Sequence, residues 1–594
     1  MSAQKMFIST PTLASLSDIM GFINSTETDE AFATVPLQVS FLRNFTVEGI
    51  EPFFRYHCLL SGIKPNIIFG NYDVVRQEIL DDASHLYTTS PEIIVVAIHL
   101  ETYLPEVSRA DWDADEVMAD LASLFSDVAR ETNAVIAVNT FIPPFYTDDS
   151  ITSNAQLPDR SYKIKQLNQF VRGFVRSNSS RFVLIDWERL VQMLGESESM
   201  DYRFWYMSRA PFKKAFLDIY AFELVKIARA LKGKTKKCLV LDCDNTLWGG
   251  VVGEVGPHNI KLDRHSYPGN AFYDFQKSIL RLHERGVLVA LCSKNNEQDV
   301  WEVLDNNPDC LIKRKHLSAW RVNWQDKASN LRELANELNL GLDSFVFVDD
   351  SPMECELVKE LVPEVTVLKV PDKLYDYPAL LAPFGLFDTL TLSAEDRQRP
   401  RMYRDEVSRK EESSRHTTLE SFLESLALSV TIHQVKTEEV PRVAQLTQKT
   451  NQFNLTTKRY SEAQIAGFVA DPAWEVITLS VSDKFGDSGL TGVLIARKDS
   501  DKCVIDSLLM SCRILGRKIE VAFVLRSLEL LDRVWQATTW QSSYAPTQKN
   551  QQVADFWQLM GFKKIDCKNG QTVFELKSNT QRHKPVPYIK IEED

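Results

Sequence analysis

No apolar run in the chain approaches the roughly 18 residues that a membrane span requires. The first residues, Met1 to Lys5, lack the charged-then-apolar pattern of a secretory signal. A cytoplasmic protein without a membrane partner is therefore expected. Cysteine is sparse, nine residues scattered from Cys58 to Cys567, with neither disulfide-framework spacing nor paired C-x-x-C metal ligands. Cys238, Cys292 and Cys355 sit in apolar runs or helical patterns and read as reduced core thiols. Positive charge is in deficit too: 68 Lys and Arg stand against 81 Asp and Glu, a formal net charge of −13. Nucleic-acid binding rests on Lys and Arg neutralising phosphates, so this balance argues against a chain whose main task is gripping a polyanion.

What is present is ordinary for folded protein, 44% hydrophobic and 25% charged residues, so composition makes no case for disorder except at the ends. At 594 residues the chain exceeds a single core and divides into several units. In residues 1–232, Gln38 to Thr46, Asn66 to Gly70, Glu92 to Leu100, Ala134 to Val138 and Phe182 to Ile185 read as strands, with helices near Ala114 to Thr132 and Ser161 to Arg176. Strands of this apolar kind alternating with helices imply a parallel sheet covered on both faces. This unit resembles the flavodoxin-like SGNH hydrolases. Yet Asn44-Phe45-Thr46 stands where a Ser-centred turn belongs, and no histidine lies between Asp186 and Lys232. A triad without its base cannot activate a hydroxyl, so a docking or structural role is expected, with His99 a satisfied strand-end residue. Lys232, Lys234, Lys236 and Lys237 form a basic connector, read as a solvated linker or a surface for an acidic partner.

Residues 233–390 carry the chemistry. The apolar run Cys238 to Leu241 ends in Asp242-Cys243-Asp244-Asn245-Thr246, followed by Leu247-Trp248-Gly249-Gly250. Alternate residues of an extended segment point the same way, so Asp242, Asp244 and Thr246 converge while Cys243 faces elsewhere. Taken alone, such acids equally suit the cap of a following helix. Downstream, however, Ser293 ends the strand after Val287, then come Lys327 and Asp349-Asp350 after the strand Phe345 to Val348. Four elements in this order resemble the haloacid dehalogenase superfamily. The resemblance implies Asp242 as nucleophile, Asp244 as acid and base, Ser293 and Lys327 as phosphate binders, and Mg²⁺ held by Asp242, Asp349 and Asp244 through its backbone carbonyl, with Asp350 a further metal candidate. It also sets Thr246, Lys294 and Asn295 beside the substrate.

The words Asp244 to Glu254, Cys292 to Glu297, Asn323 to Lys327 and Val348 to Glu354 are similar to those of the FkbH-like proteins. The layout is similar as well: an SGNH-like front, a HAD-like Rossmannoid core and a GNAT-like α+β rear, three α/β-class domains in all. The family implies that a 3-phosphoglyceryl group from 1,3-bisphosphoglycerate is dephosphorylated and loaded, as glyceryl, onto the phosphopantetheine arm of an acyl carrier protein in polyketide-type biosynthesis. In such a scheme Cys243 is a candidate acyl nucleophile, although two neighbouring carboxylates raise a thiol's pKa. The alternatives are a plain phosphohydrolase of a small phosphate ester and a non-catalytic carrier-docking module.

Residues 391–418 are dense in charge and read as an exposed helical linker. The third unit, residues 419–576, mixes helices (Val440 to Lys449; Ile519 to Trp535) with strands (Trp474 to Val481; Leu490 to Ile495; Val504 to Met510), and residues 577–594 read as a mobile tail. Ser511 to Lys518 and Tyr544 to Asn550 resemble a GNAT acetyltransferase, whose helix-start loop binds coenzyme A pyrophosphate. Lys518 replaces the small residue expected there. Arg513, Arg517 and Lys518 remain candidates for the phosphate of a pantetheine arm; N-acetylation and a purely structural role are the other readings.

Overall fold

A computed structural model of the protein describes residues 15–29, 34–105, 107, 112–143, 160–390, 394–413, 415–416, 418–500, 502–547, 549–568, 570–577 and 586–592. Five strands, β1 (Val35–Arg43), β2 (Ile63–Phe69), β3 (Ile93–Ala97), β4 (Val135–Asn139) and β5 (Phe182–Ile185), form a parallel sheet in the order 2-1-3-4-5. That order is flavodoxin-like. Every residue of β3 and β4 is buried. Helices Glu51–Leu60 and Lys214–Leu231 cover one face, Ala114–Glu131 and Arg160–Ser177 the other. β2 is an edge strand, the position that tolerates its Pro65.

Asn44, just past β1, is an amide clamp rather than a nucleophile. Its Oδ1 accepts from His99 N at 2.7 Å and its Nδ2 donates to His99 O at 3.0 Å, tying β1 to β3. His99 departs from expectation. Its backbone is satisfied, but Nδ1 is buried with no hydrogen-bond partner among the described residues, and the ring lies against Trp205 at 4.4 Å.

The second unit is a parallel sheet of β6 (Cys238–Leu241), β7 (Leu288–Ser293), β8 (Leu317–Val322), β9 (Phe345–Asp349) and β10 (Thr366–Lys369) in the order 10-9-6-7-8. β6 lies centrally between β9 and β7, which brings the carboxyl ends of all three together, where open α/β sheets form their binding crevice.

In the third unit β11 (Ser429–Gln434), β12 (Phe453–Asn454), β13 (Trp474–Asp483), β14 (Gly486–Asp499), β15 (Lys502–Met510), β16 (Thr539–Tyr544), β17 (Lys563–Lys568), β18 (Gln571–Lys577) and β19 (Lys590–Glu592) form one mixed sheet. β15 and β16 run parallel only from Lys502–Val504 against Thr539–Gln541, then part. The chain fills the gap itself: β12 pairs with Leu509 and Met510, Leu455 N donates to Leu508 O at 3.1 Å, and Ala545 N donates to Leu455 O at 2.8 Å.

Three expectations are corrected here. Residues 590–592 of the supposed tail form β19, which pairs in parallel with Ser429–Thr431; residues 578–585 and 593–594 lie outside the described residues. The linker does hold a helix, Ala394–Ser413, but Met402, Tyr403 and Arg409 on it are buried. The reason is charge matching: Arg409 donates to both oxygens of Asp483, at 2.6 and 2.9 Å, so the third unit takes the place of solvent. The basic connector is likewise not simply solvated. Lys232 pairs with Glu92 at 2.5 Å, Lys236 Nζ donates to Asp343 O at 2.7 Å and Lys237 Nζ to Lys449 O at 2.8 Å. Gly233 turns with φ +62, and a Cβ there would lie 2.0 Å from Gln448 O, so this turn is wedged against the third unit.

Candidate active site

Asp242 continues β6 by one residue, its N–H donating to Val348 O at 3.0 Å, and then the chain turns sharply. Asn245 adopts φ +54, and Leu247 N donates back to Cys243 O at 2.8 Å. Gly250 N donates to Asn245 Oδ1 at 2.9 Å, closing the turn. Asp349 ends β9 in the same way, Ser293 ends β7, and Lys327 opens the helix Lys327–Glu337, whose cap is Asp326. Three different strands and one helix start thus deliver polar groups to one crevice.

Lys327 is the centre of this arrangement. Its Nζ lies 3.0 Å from Asp242 Oδ1 and 2.6 Å from Asp349 Oδ2, and all three side chains are nearly sealed from solvent. The two carboxylates hold the ammonium protonated well above its usual range. Burial pushes both acids up against the pull of Lys327, with Asp350 adding to the rise of Asp242 and Asp242 to that of Asp349. Asp350 adds a third carboxylate, with ligand atoms of Asp242, Asp349 and Asp350 within 4.8 Å of one another. Three carboxylates against one ammonium leave two formal negative charges in excess. Hard oxygen donors with that excess fit one divalent cation such as Mg²⁺. Thr246 Oγ1, fully buried and without a hydrogen-bond partner among the described residues, is a further polar atom in this turn.

Asp244, expected to reach a metal only through its backbone carbonyl, turns its carboxylate to other partners. Its Oδ1 accepts from Trp248 Nε1 at 2.9 Å and Val252 N at 3.1 Å, and its Oδ2 accepts from Asn295 Nδ2 at 3.0 Å. The carboxylate is oriented by three donors and lies outside the acidic cluster. Asn295 also donates to Ser293 Oγ at 3.2 Å, so the two expected substrate-side residues form one network with Asp244. Neither Trp248 nor Val252 stands out as a site residue in the sequence, although Trp248 lies in the same motif; an indole N–H aimed at a carboxylate has no signature in a linear pattern.

Lys294, Arg513, Arg517 and Lys518 are not brought to the crevice, and Cys243, beside Ser293, is sealed at its floor. Lys294 turns to Glu354, with Nζ 2.7 Å from Oε1. Cys243 is fully buried among Leu239, Leu241 and Trp248, and burial with Asp242 and Asp244 nearby pushes its thiol well above the ordinary value. That is the opposite of an activated nucleophile. Arg517 is held by Glu406 at 2.7 Å and Asp483 at 3.4 Å, both of which belong to the docking of the linker helix. Lys518, with φ +58, is exposed at the start of helix Ile519–Trp535, and Arg513 faces a cavity at the opposite end of the second sheet.

Residues 237–367 match the NLI interacting factor-like phosphatase family. Among solved structures, the chain is similar to the N-terminal part of the protein BF1531 from Bacteroides fragilis, containing a phosphatase domain complexed with Mg, at 26% identity and a TM-score of 0.58, over 64% of this chain and 100% of that one. Slighter likenesses are to the ribosomal-protein-S18-alanine N-acetyltransferase of Escherichia coli (12% identity, TM-score 0.21, 26% of this chain and 96% of that one) and to the PaiA N-acetyltransferase of Thermoplasma acidophilum in complex with coenzyme A (15%, 0.19, 25% and 98%). Neither supports an inference about activity. Among curated proteins none matches the chain. The second unit is thus a phosphatase domain of the haloacid dehalogenase type, with the acids, hydroxyl and lysine of that chemistry in one crevice.

Proposed function

We propose that this protein is a Mg²⁺-dependent phosphatase and acyltransferase: it removes phosphate from a 3-phosphoglyceryl group supplied by 1,3-bisphosphoglycerate and delivers glyceryl to the phosphopantetheine arm of an acyl carrier protein. The observation that carries the phosphoryl half is Lys327 held between Asp242 and Asp349 at the strand ends. The sequence words around Asp244, Cys292 and Asp349 support the glyceryl half.

In this reading the Asp242 carboxylate attacks phosphorus and the bond from phosphorus to the leaving oxygen breaks. Asp244, fixed by Trp248, Val252 and Asn295, protonates that oxygen and then takes a proton from the water that hydrolyses the aspartyl-phosphate. Ser293 and Lys327 orient the phosphoryl oxygens. Asp242, Asp349 and Asp350 would hold Mg²⁺, which would neutralise charge on those oxygens. Acyl transfer then bypasses Cys243, whose sulfur is buried: the carrier thiolate attacks the acyl carbon, a thioester forms, and the 1-phosphate leaves as inorganic phosphate. That same burial favours a second reading, a plain phosphohydrolase of a small phosphate ester.

The test is to incubate the full chain with Mg²⁺, 1,3-bisphosphoglycerate and a panel of phosphopantetheinylated carriers, measuring free phosphate and carrier mass together. Wild type and Cys243→Ala are expected to release phosphate and add glyceryl to a carrier. Asp242→Asn is expected to lose about a thousandfold or more in phosphate release. Free phosphate with every carrier unchanged selects the plain hydrolase, and absence of phosphate release from any phosphoglycerate sinks both readings.

A further inference from the structure

At the carboxyl ends of β3, β4 and β5 lies a cavity of about 200 Å³. It belongs to the first sheet, not to the one that carries Asp242. Ile98 to Leu100 follow β3, Phe141 to Pro143 follow β4, and Trp187 follows β5, so the chain leaves three neighbouring strands around one space. Parallel sheets hold their ligands at this end. Glu196, Met200, Tyr202 and Trp205, from the segment after helix Trp187–Leu194, close a further side.

Rings on the walls are held in place by their neighbours. Trp187 is gripped by Phe45, Phe212 and Tyr220, with ring centroids 5.7, 5.1 and 5.3 Å away. His99 and Trp205 lie against each other at 4.4 Å. The space is therefore preformed, as small-molecule sites usually are. Its charge has one sign. The described residues lining it include two carboxylates, Glu101 and Glu196, and neither lysine nor arginine. Glu196 accepts from Tyr202 OH through Oε1, whereas its Oε2 is sealed from solvent with no hydrogen-bond partner among the described residues. A carboxylate oxygen left this way is costly unless positive charge comes close. His99 does not supply it: burial and Arg209 bring its pKa down to about 4, so the ring is uncharged at neutral pH. Arg209 is exposed and already engaged over the Trp205 ring, with Cζ 4.8 Å from its centroid.

We propose that this cavity binds a small organic cation, one whose positive charge is an alkylated or methylated ammonium group. Aromatic rings attract such a group through the negative charge of their faces, tryptophan most strongly. Phe141, Trp187, Tyr202 and Trp205 line the space, and the two carboxylates add formal charge that the faces alone lack. A bare metal ion fits poorly, since it needs roughly six hard oxygen donors that apolar walls do not provide. An anion would meet Glu101 and Glu196. The inference stands apart from the reaction proposed at Asp242.

The test uses choline and, as its uncharged isostere, 3,3-dimethyl-1-butanol, each titrated by calorimetry into full-length protein with excess Mg²⁺ to occupy the phosphatase acids. Wild type, Glu101→Gln, Glu196→Gln, Trp205→Phe and Asp242→Asn are compared, with melting temperature read in parallel. Choline is expected to bind one per chain and raise the melting temperature in wild type and Asp242→Asn alike. The isostere should bind at least tenfold more weakly. Affinity for choline should fall about tenfold in Glu196→Gln and severalfold in Trp205→Phe, whose ring is the weaker host for a cation. Glu101→Gln, at an exposed position, should melt like wild type and bind choline severalfold more weakly, so it reads the charge without risk to the fold. The inference is overturned if choline does not bind, if the isostere binds as tightly, or if Glu101→Gln and Glu196→Gln bind choline as wild type does. Loss of choline binding in Asp242→Asn alone would place the cation at the phosphatase acids and overturn it too.

Discussion

Lys327 shows how a single residue couples stability to chemistry. It is one cation shared by two sealed carboxylates, so Lys327→Met leaves Asp242 and Asp349 facing each other without compensation. Breaking a buried pair in this way costs about 3–5 kcal/mol. Denaturant titration in metal-free buffer should show that loss, and excess Mg²⁺ should restore part of it; equal stability of variant and wild type without metal would contradict the arrangement. His99 makes a second residue-scale prediction. Burial and the nearby Arg209 bring its pKa down to about 4, below the ordinary unfolded value of about 6.5. Between these values the unfolded chain binds the extra proton, so stability is full above about pH 6.5 and falls as pH drops towards 4. The loss from this group is about 3 kcal/mol. His99→Phe keeps an aromatic ring against Trp205 and should flatten this part of the stability profile; an unchanged acid limb would show that His99 is not its source. The acids and lysine were legible in the sequence because their types and order carry the chemistry. The donors that orient Asp244 were not, since Trp248 and Val252 N reach it only once the turn has closed.

Among the elements, those with a strong apolar period stand where the sequence puts them. Helices Val440–Lys449 and Ile519–Trp535 and strand Phe182–Ile185 keep the expected bounds. β8, β11, β12, β16, β17, β18 and β19 are not legible in the sequence; β17 and β18 are largely polar and gain their partners only by pairing with each other and with β16. The gap between β15 and β16 is another product of tertiary structure. Asn550, fully buried, closes it: its Nδ2 donates to Asn454 O and Ala545 O, both at 2.9 Å, and its Oδ1 accepts from Thr547 N at 2.8 Å. Asn550→Ala strands these groups and should cost about 2–4 kcal/mol. Amide exchange read residue by residue should quicken at Leu455 and Ala545 before the rest of the sheet; uniform acceleration would deny Asn550 this local role.

For the whole molecule, the division into three units follows from length, periodicity and apolar runs, and the phosphatase character of the middle one from the order of its motifs, whereas the way the units meet follows from neither. The linker helix reads as solvated because its charges are visible and their partners are not: Asp483, which engages Arg409 and Arg517, lies far along the chain. The basic connector misled for the same reason. Its lysines reach Glu92, Asp343 and Lys449, groups from three separate parts of the sequence. What the assembly preserves at its centre is an open crevice at the carboxyl ends of β6, β7 and β9, and the account depends on Asp242 being the group that attacks phosphorus there. The direct measurement is to quench the Mg²⁺-loaded protein during turnover of a phosphoglyceryl substrate, reduce any acyl phosphate with borohydride, and locate the altered residue by peptide mass. Modification is expected at Asp242 alone, absent from Asp242→Asn. Modification at Asp244 or Asp349, or sustained phosphate release with Asp242 unaltered, would contradict it.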